Sequence, residues 1–214
     1  MLIAEDLLLL LLDEESRKLT KTRYMEECLG GALLVELALG GYVEAIPWRF
    51  HEMKRVRITG APAPKDPGLV IALARVAEKD GRWSTWRISV RLGEEMKQPL
   101  LAHLVQVGVL RRHDDKVWGL IPRRRWELRD GRHRHNLIRQ IGDVLTRRVD
   151  PEPRTAGLVA LLDGLKWDFE MIDRRGTSED QLVSRIHEVR DGAGWPANEV
   201  AGMIASLIRA EENS

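Results

Sequence analysis

One cysteine, Cys28, is all the thiol this chain of 214 residues carries. With no second cysteine to pair with, an internal disulfide is excluded, and the usage suits a reducing compartment. Long apolar runs are missing too. The longest leucine run, Leu7 to Leu12, follows Glu5 and Asp6 and precedes Asp13, Glu14 and Glu15. It lacks the basic lead of a signal peptide and falls far short of the roughly 18 to 20 residues that span a bilayer. That run belongs in a core, so any membrane contact is expected to be peripheral.

Catalytic signatures are also lacking. No Gly-x-Ser-x-Gly elbow, phosphate loop or dinucleotide fingerprint occurs, and Cys28 has no base beside it in sequence. The histidines, His51, His103, His113, His133, His135 and His187, form no helical ligand pair with a glutamate between them. His133 and His135 sit in an arginine-rich stretch, where solvated side chains are expected. Neither a metal site, a cofactor nor catalysis is expected.

Net charge is scarce, +1, but it is unevenly spread. Residues 1–110 hold 15 basic and 15 acidic side chains, residues 111–148 hold 12 and 5, and residues 149–214 hold 7 and 13. A +7 block inside a neutral chain points to an anionic partner, lipid headgroups or nucleic acid. The competing interpretation is a solvated face balanced by the acidic tail.

What is present is organised around residues 30–41. Between Gly30-Gly31 and Gly40-Gly41 lie eight residues, all apolar except Glu36. A helix with no polar face belongs inside a domain. Glycine in its interior costs about 1 kcal/mol relative to alanine, so close approach of a neighbouring element is the expected compensation. Gly40 reads as the C-cap. The length suits one domain, residues 1–214, with a sizeable core.

In chain order, residues 2–12 form a first helix, 13–18 a turn, and 23–39 the central helix. Residues 42–46 and 54–59 alternate enough for a two-stranded ribbon. Asp66-Pro67 starts a third helix through Ala77. Residues 85–92 alternate strictly, through Trp86, Ile88, Val90 and Leu92, and periodicity alone makes them a strand. Pro99 opens a helix to Val107, capped by Gly108. Residues 109–112 and 117–121, separated by a turn at Asp114, Asp115 and Lys116, read as a β-hairpin. Helices follow at about 132–147, 151–165, 178–189, behind a Ser178/Gln181 capping box, and 196–209. The fold class is mainly α: one globular helical domain around a buried central helix, with one or two short β-hairpins.

Several segments then fall together in one order. Glu5-Asp-Leu-Leu-Leu-Leu-Leu-Leu-Asp-Glu14, Gly31-Ala-Leu-Leu-Val-Glu-Leu-Ala-Leu39, the Ala61-Pro62 segment leading into a helix, Leu104-Val-Gln-Val-Gly-Val-Leu110 and Pro153-Arg-Thr-Ala-Gly-Leu-Val-Ala-Leu-Leu162 resemble the Golgi phosphoprotein 3 family. The composition, rich in Arg, Ala and Trp, looks like a bacterial branch. The resemblance implies a mainly helical domain that docks on membranes from the cytoplasm and recognises a phosphoinositide headgroup, phosphatidylinositol 4-phosphate. In eukaryotes it also implies tethering of membrane-protein tails. It implies a helix, not a strand, at residues 85–92. The family's headgroup pocket uses a tryptophan and an arginine where this chain has Lys21 and Gly30, and two further arginines where it has Glu94 and Lys97. The nearest substitutes are Arg23 and Tyr24. Arg23, Tyr24 and Lys97 are therefore the headgroup candidates, and binding to anionic lipid with only weak phosphoinositide preference is expected.

The hairpin is the most informative surface feature. Val117, Trp118, Leu120 and Ile121 are flanked by Arg111, Arg112, Lys116, Arg123, Arg124 and Arg125. An apolar tip with a basic collar suits an interfacial anchor, and Arg111, Arg112, Arg123 and Arg124 join the lipid-binding set. Packing into the core or into a homo-oligomer contact is the alternative. A helix followed by a basic hairpin also describes a winged-helix DNA-binding regulator. Residues 100–107 present no polar, base-reading face, so nucleic acid is the less favoured partner.

Overall fold

Burial of the leucine run starts the fold: α1 spans Ile3–Leu10, and every one of its residues is buried. The structure is a computed structural model that describes residues 1–20, 23–48, 53–117 and 121–212; for 115–117 and 121–123 it describes the backbone alone. A two-stranded antiparallel turn follows, β1 Leu12–Asp13 and β2 Lys18–Leu19. The central helix α2, Met25–Leu39, is buried from Cys28 to Val35 and ends at Gly40. β3 Val43–Ile46 and β4 Arg55–Ile58 pair antiparallel as the expected ribbon. α3, Pro67–Ala77, starts where expected, with the Asp66 side chain accepting from the Leu69 N–H.

α4 runs unbroken over Thr85–Gln106. It corrects both the strand that alternation predicts at residues 85–92 and the separate helix from Pro99. The buried set Ile88, Ser89, Leu92, Gly93, Met96, Leu100, Leu101 and Leu104 has helical spacing. Ser89 and Gly93 belong to that face although neither is hydrophobic, whereas Trp86 and Val90 are only half-buried. Pro99 removes the hydrogen bond to the Glu95 carbonyl, but both residues are exposed and water can take the place of the missing donor.

β5 Leu110–Val117 and β6 Ile121–Leu128 form the third antiparallel pair. Asp114, Asp115 and Lys116 lie within β5, opposite Arg124, Arg123 and Pro122, rather than in a turn. An acidic residue facing a basic one across the ladder supports strand pairing where β propensity is low. α5 Arg132–Thr146, α6 Pro153–Gly164, α7 Glu179–Gly192 and α8 Ala197–Glu212 complete the chain, and α7 carries the expected Ser178/Gln181 capping box. The fold class is mainly α with short two-stranded sheets.

α2 packs against α1, α4, α6 and α8, most extensively against α4. There the two backbones touch. A Cβ on Gly30 would stand 1.8 Å from the Ser89 carbonyl oxygen, and one on Gly93 would stand 1.6 Å from the Glu26 carbonyl oxygen. Of the two glycines foreseen as points of close approach, Gly30 meets the Ser89 backbone of α4 and Gly31 meets Val200 and Leu161 of α8 and α6.

Glu5 and Asp6, which sequence reading treats only as flanks of the leucine run, are buried at 1% and 2% exposure. Glu5 Oε2 accepts from the Leu2 N–H at 2.8 Å, and Oε1 meets His103 Nδ1 at 2.5 Å. Asp6 meets His133 Nε2 at 2.7 Å and Arg154 Nη2 at 2.8 Å. Arg154 Nη1 reaches Glu36 Oε1 at 2.5 Å, and Glu36 Oε2 accepts from the Ile3 N–H at 2.7 Å. His133 is therefore only partly solvated, its Nε2 held by a buried carboxylate; His135 is exposed.

Three substitutions test this packing. Gly30→Ala should lower stability by at least about 2 kcal/mol, because carbonyl groups cannot rotate away as a side chain can. Gly202→Ala, in α8 with nothing within 4 Å of the added carbon, should instead gain up to about 1 kcal/mol from helix propensity. Urea denaturation of both variants checks the contrast. Arg154→Ala should cost about 2 to 4 kcal/mol in the same assay, below the full cost of breaking a buried pair because Arg154 is partly exposed; a loss under 0.5 kcal/mol would show that the network contributes little.

Candidate functional site

The headgroup candidates gather around the start of α2. Arg23 and Tyr24 immediately precede it, and Lys97 reaches it from α4. Arg23 Nη1 lies 2.8 Å from Glu211 Oε2, and the Tyr24 hydroxyl donates to Glu211 Oε1 at 2.6 Å. That hydrogen bond holds the Tyr24 phenol above its ordinary pKa. Lys97 Nζ lies 2.8 Å from Glu26 Oε1. Each candidate thus already holds a carboxylate of the same chain. Burial raises the Glu27 carboxyl above its usual range, and the charges of Glu26 and Glu94 add to this. The region is richer in carboxylates than the resemblance implies. Gly30, standing where the family carries an arginine, faces the α4 backbone and has no route to solvent. Lys21 lies outside the described residues.

The hairpin supplies the second group. Its base is fixed: Leu110 and Trp126 are buried, the Trp126 N–H donates to the Arg17 carbonyl at 2.8 Å, and the Arg129 N–H donates to the Val109 carbonyl at 3.0 Å. Arg111 is exposed, and Arg112 Nη2 lies 2.8 Å from Asp114 Oδ2. Arg124, opposite Asp114 in register, approaches Gln98 Oε1 at 3.5 Å. Gln98 follows Lys97, so the hairpin and the start of α2 contact α4 at consecutive residues. Arg123 stands opposite Asp115 in the ladder, and Val117 opposite Ile121. Trp118 and Leu120 lie outside the described residues.

A cation that the sequence reading passed over joins this surface. Residues 13–18 read only as a turn, yet β2 packs on β6 and brings Arg17 to the hairpin base. Glu127 shows the effect. Its carboxyl is held below the usual range first by the hydrogen bond from His113 Nε2, at 2.5 Å, and then by the charges of Arg17, His113 and Arg111. Arg17 takes a left-handed backbone, φ 55°. Nothing in the local sequence, such as a glycine or asparagine, marks that turn geometry.

In the winged-helix interpretation, the helix before the hairpin would read bases. That helix is α4, whose Leu100, Leu101 and Leu104 are buried and whose long face lies on α2. Among the described residues, no helix is long and apolar enough to cross a membrane, and no group of three or more His, Cys, Asp or Glu side chains could hold a metal. Cys28 is buried, its thiol pushed well above its ordinary pKa by desolvation.

A comparison against protein families gives a match that spans the central helix, α4 and the hairpin. A family model described as Golgi phosphoprotein 3 (GPP34) matches residues 3–207, nearly the whole chain. No curated protein matches. The chain belongs to the Golgi phosphoprotein 3 (GPP34) family.

Proposed function

We propose that this protein is a non-enzymatic peripheral membrane adaptor that binds anionic lipid through the basic base and apolar end of the β5–β6 hairpin. The carrying observation is the hairpin itself, anchored to the body at Leu110 and Trp126 and ringed by Arg17, Arg111 and Arg124. Each such cation near an anionic surface contributes about 1 kcal/mol, and the aromatic residue at position 118 suits the headgroup level. Family membership supports docking on a membrane, and the cytoplasmic side is the face that the family resemblance brings. Tails of membrane proteins are the client class that the family resemblance brings.

The recognition step is mainly electrostatic. The pocket positions give few free donors, because Arg23, Tyr24 and Lys97 are engaged by Glu211 and Glu26, so a phosphoinositide is preferred only weakly over other anionic lipid. Co-sedimentation of the protein with phosphatidylglycerol vesicles should be strong at low salt, weak at high salt and weak with neutral vesicles. Arg111→Ala combined with Arg124→Ala should lose about 2 kcal/mol of vesicle affinity without unfolding, and adding Arg17→Ala about one more. At matched total charge, phosphatidylinositol 4-phosphate should gain less than the tenfold that corresponds to about 1.4 kcal/mol. Equal binding to charged and neutral vesicles would overturn this function.

Trp118→Ala separates the hairpin's roles. A loss of about 1 to 3 kcal/mol in vesicle affinity, with the fold retained, marks interfacial insertion. An altered mass in solution with unchanged lipid binding assigns the hairpin to a homo-oligomer contact instead, and retention of duplex DNA in a shift assay would favour the nucleic-acid reading.

A further inference from the structure

We propose that the last turn of α8 acts as a resident anion for the Arg23–Tyr24 site, so that a phosphorylated headgroup must displace Glu211 to bind there. The proposal rests on the membrane-adaptor function above and adds its regulation.

The geometry is that of a filled anion site. Consecutive residues offer a guanidinium and a phenol, and these meet different oxygens of one carboxylate, at 2.8 Å and 2.6 Å. A fork and a hydroxyl converging on one anionic group is also how phosphate oxygens are held. The Tyr24 phenol, raised in pKa by this contact, stays a donor. Glu212, one residue on, meets Lys166 Nζ at 2.5 Å, so two successive carboxylates are matched by cations from separate parts of the chain.

α8 is built to let this turn go. Its buried residues, Ala197, Val200, Ala201 and Ile204, lie in the first half and Ile208 packs against the core one turn later, whereas residues 209–212 are exposed. Release of the turn leaves the core intact. The charges also sit at the unfavourable end of the helix, because the macrodipole places partial negative charge at the C-terminus and disfavours carboxylates there. The docked turn therefore depends on external cations to offset that repulsion, and a dianionic phosphate monoester is a stronger competitor for them than one carboxylate.

Exposure sets the strength. With side-chain exposures of 72% for Arg23 and 39% for Glu211, the pair lies in the weak, screened class of ion pairs, and its competition amounts to about fivefold at most. The contact tunes affinity without closing the site.

The experiment uses the full chain in four forms: wild type, Glu211→Gln, Glu211→Gln with Arg23→Ala, and Asp180→Asn, which removes an exposed charge from α7. Each is titrated with soluble inositol 1,4-bisphosphate, followed by amide shifts at Tyr24, and with phosphatidylcholine vesicles containing phosphatidylinositol 4-phosphate. Glu211→Gln should tighten both by about threefold to fivefold, Asp180→Asn should change neither, and Arg23→Ala should cancel the gain. The proposal is overturned if soluble headgroup affinity is the same with and without Glu211, including no binding by either protein. It is also overturned if the gain survives Arg23→Ala or appears equally in Asp180→Asn. Vesicle binding that needs the hairpin arginines but ignores Glu211 removes the competition and keeps the membrane adaptor; a soluble-headgroup gain without any vesicle binding does the reverse.

Discussion

The contact of α2 with α4, backbone against backbone at Gly30–Ser89 and Gly93–Glu26, is the constraint from which the remaining architecture follows. Two helices this close leave no room for side chains at the crossing, so burial must be completed from the other sides of α2. α1, α6 and α8 supply it, and the leucines of α1 and, up to Leu37, those of α2 are sealed from water. A helix enclosed in this way cannot leave a polar side chain unsatisfied. Glu36, the lone acid in the apolar stretch, is accordingly held by Arg154 of α6 and by the Ile3 N–H of α1. One side chain thereby ties the three inner helices together, and the bonds of Glu5 and Asp6 to His103 and His133 extend the tie to α4 and α5.

Charge is partitioned less simply than the linear count suggests. Within the +7 segment, Arg134 is buried, donating to the Leu9 carbonyl at 2.9 Å and to Glu14 at 2.6 Å, so it fastens α5 to α1 and offers nothing to a partner. Arg132 is taken by Asp130, whose carboxyl its hydrogen bonds pull down to about 2. Arg112 is taken by Asp114. The surface that stays available is assembled partly from outside the segment, since Arg17 arrives from the turn after α1. The acidic tail is exposed but not wholly unpaired: Glu211 meets Arg23 and Glu212 meets Lys166.

Elements whose ends carry their own chemistry were legible in the sequence. Asp66 before Pro67 and Ser178 before Gln181 satisfy helix N–H groups locally, and α3 and α7 begin there. The chain at residues 85–92 was not legible from periodicity, because a hydrophobic pattern scores Ser89 and Gly93 as outward-facing. They are buried because they are small, and the face they make is defined by the neighbouring helix, which one segment cannot reveal. Family resemblance supplied the helix there. A hairpin was foreseen here, but its turn and second strand were misplaced, the strands running over Leu110–Val117 and Ile121–Leu128: Asp114-Asp115-Lys116 has turn composition, and only the arginines of the partner strand give those acids a reason to lie in a ladder. The buried carboxylates of α1 were missed for the same reason. Their partners, His103, His133 and Arg154, lie about a hundred residues or more away in sequence.

The same crossing bears on what position 30 can hold in this chain. At position 30 the family resemblance sets an arginine, and here the position is a glycine pressed on the Ser89 carbonyl. A guanidinium there and the present approach of α4 exclude each other, since even a single methyl group would meet backbone at 1.8 Å. Restoring arginine at 30 would therefore force α2 and α4 apart before it could add a donor. Lys97, the one pocket cation kept on α4, lies a single turn beyond Gly93 on the same flank, so separation of the helices would carry it away from Glu26 as well. The packing of the two helices and the pocket cations are one design problem. In this chain packing has taken the central position, and a donor at position 30 is given up to it.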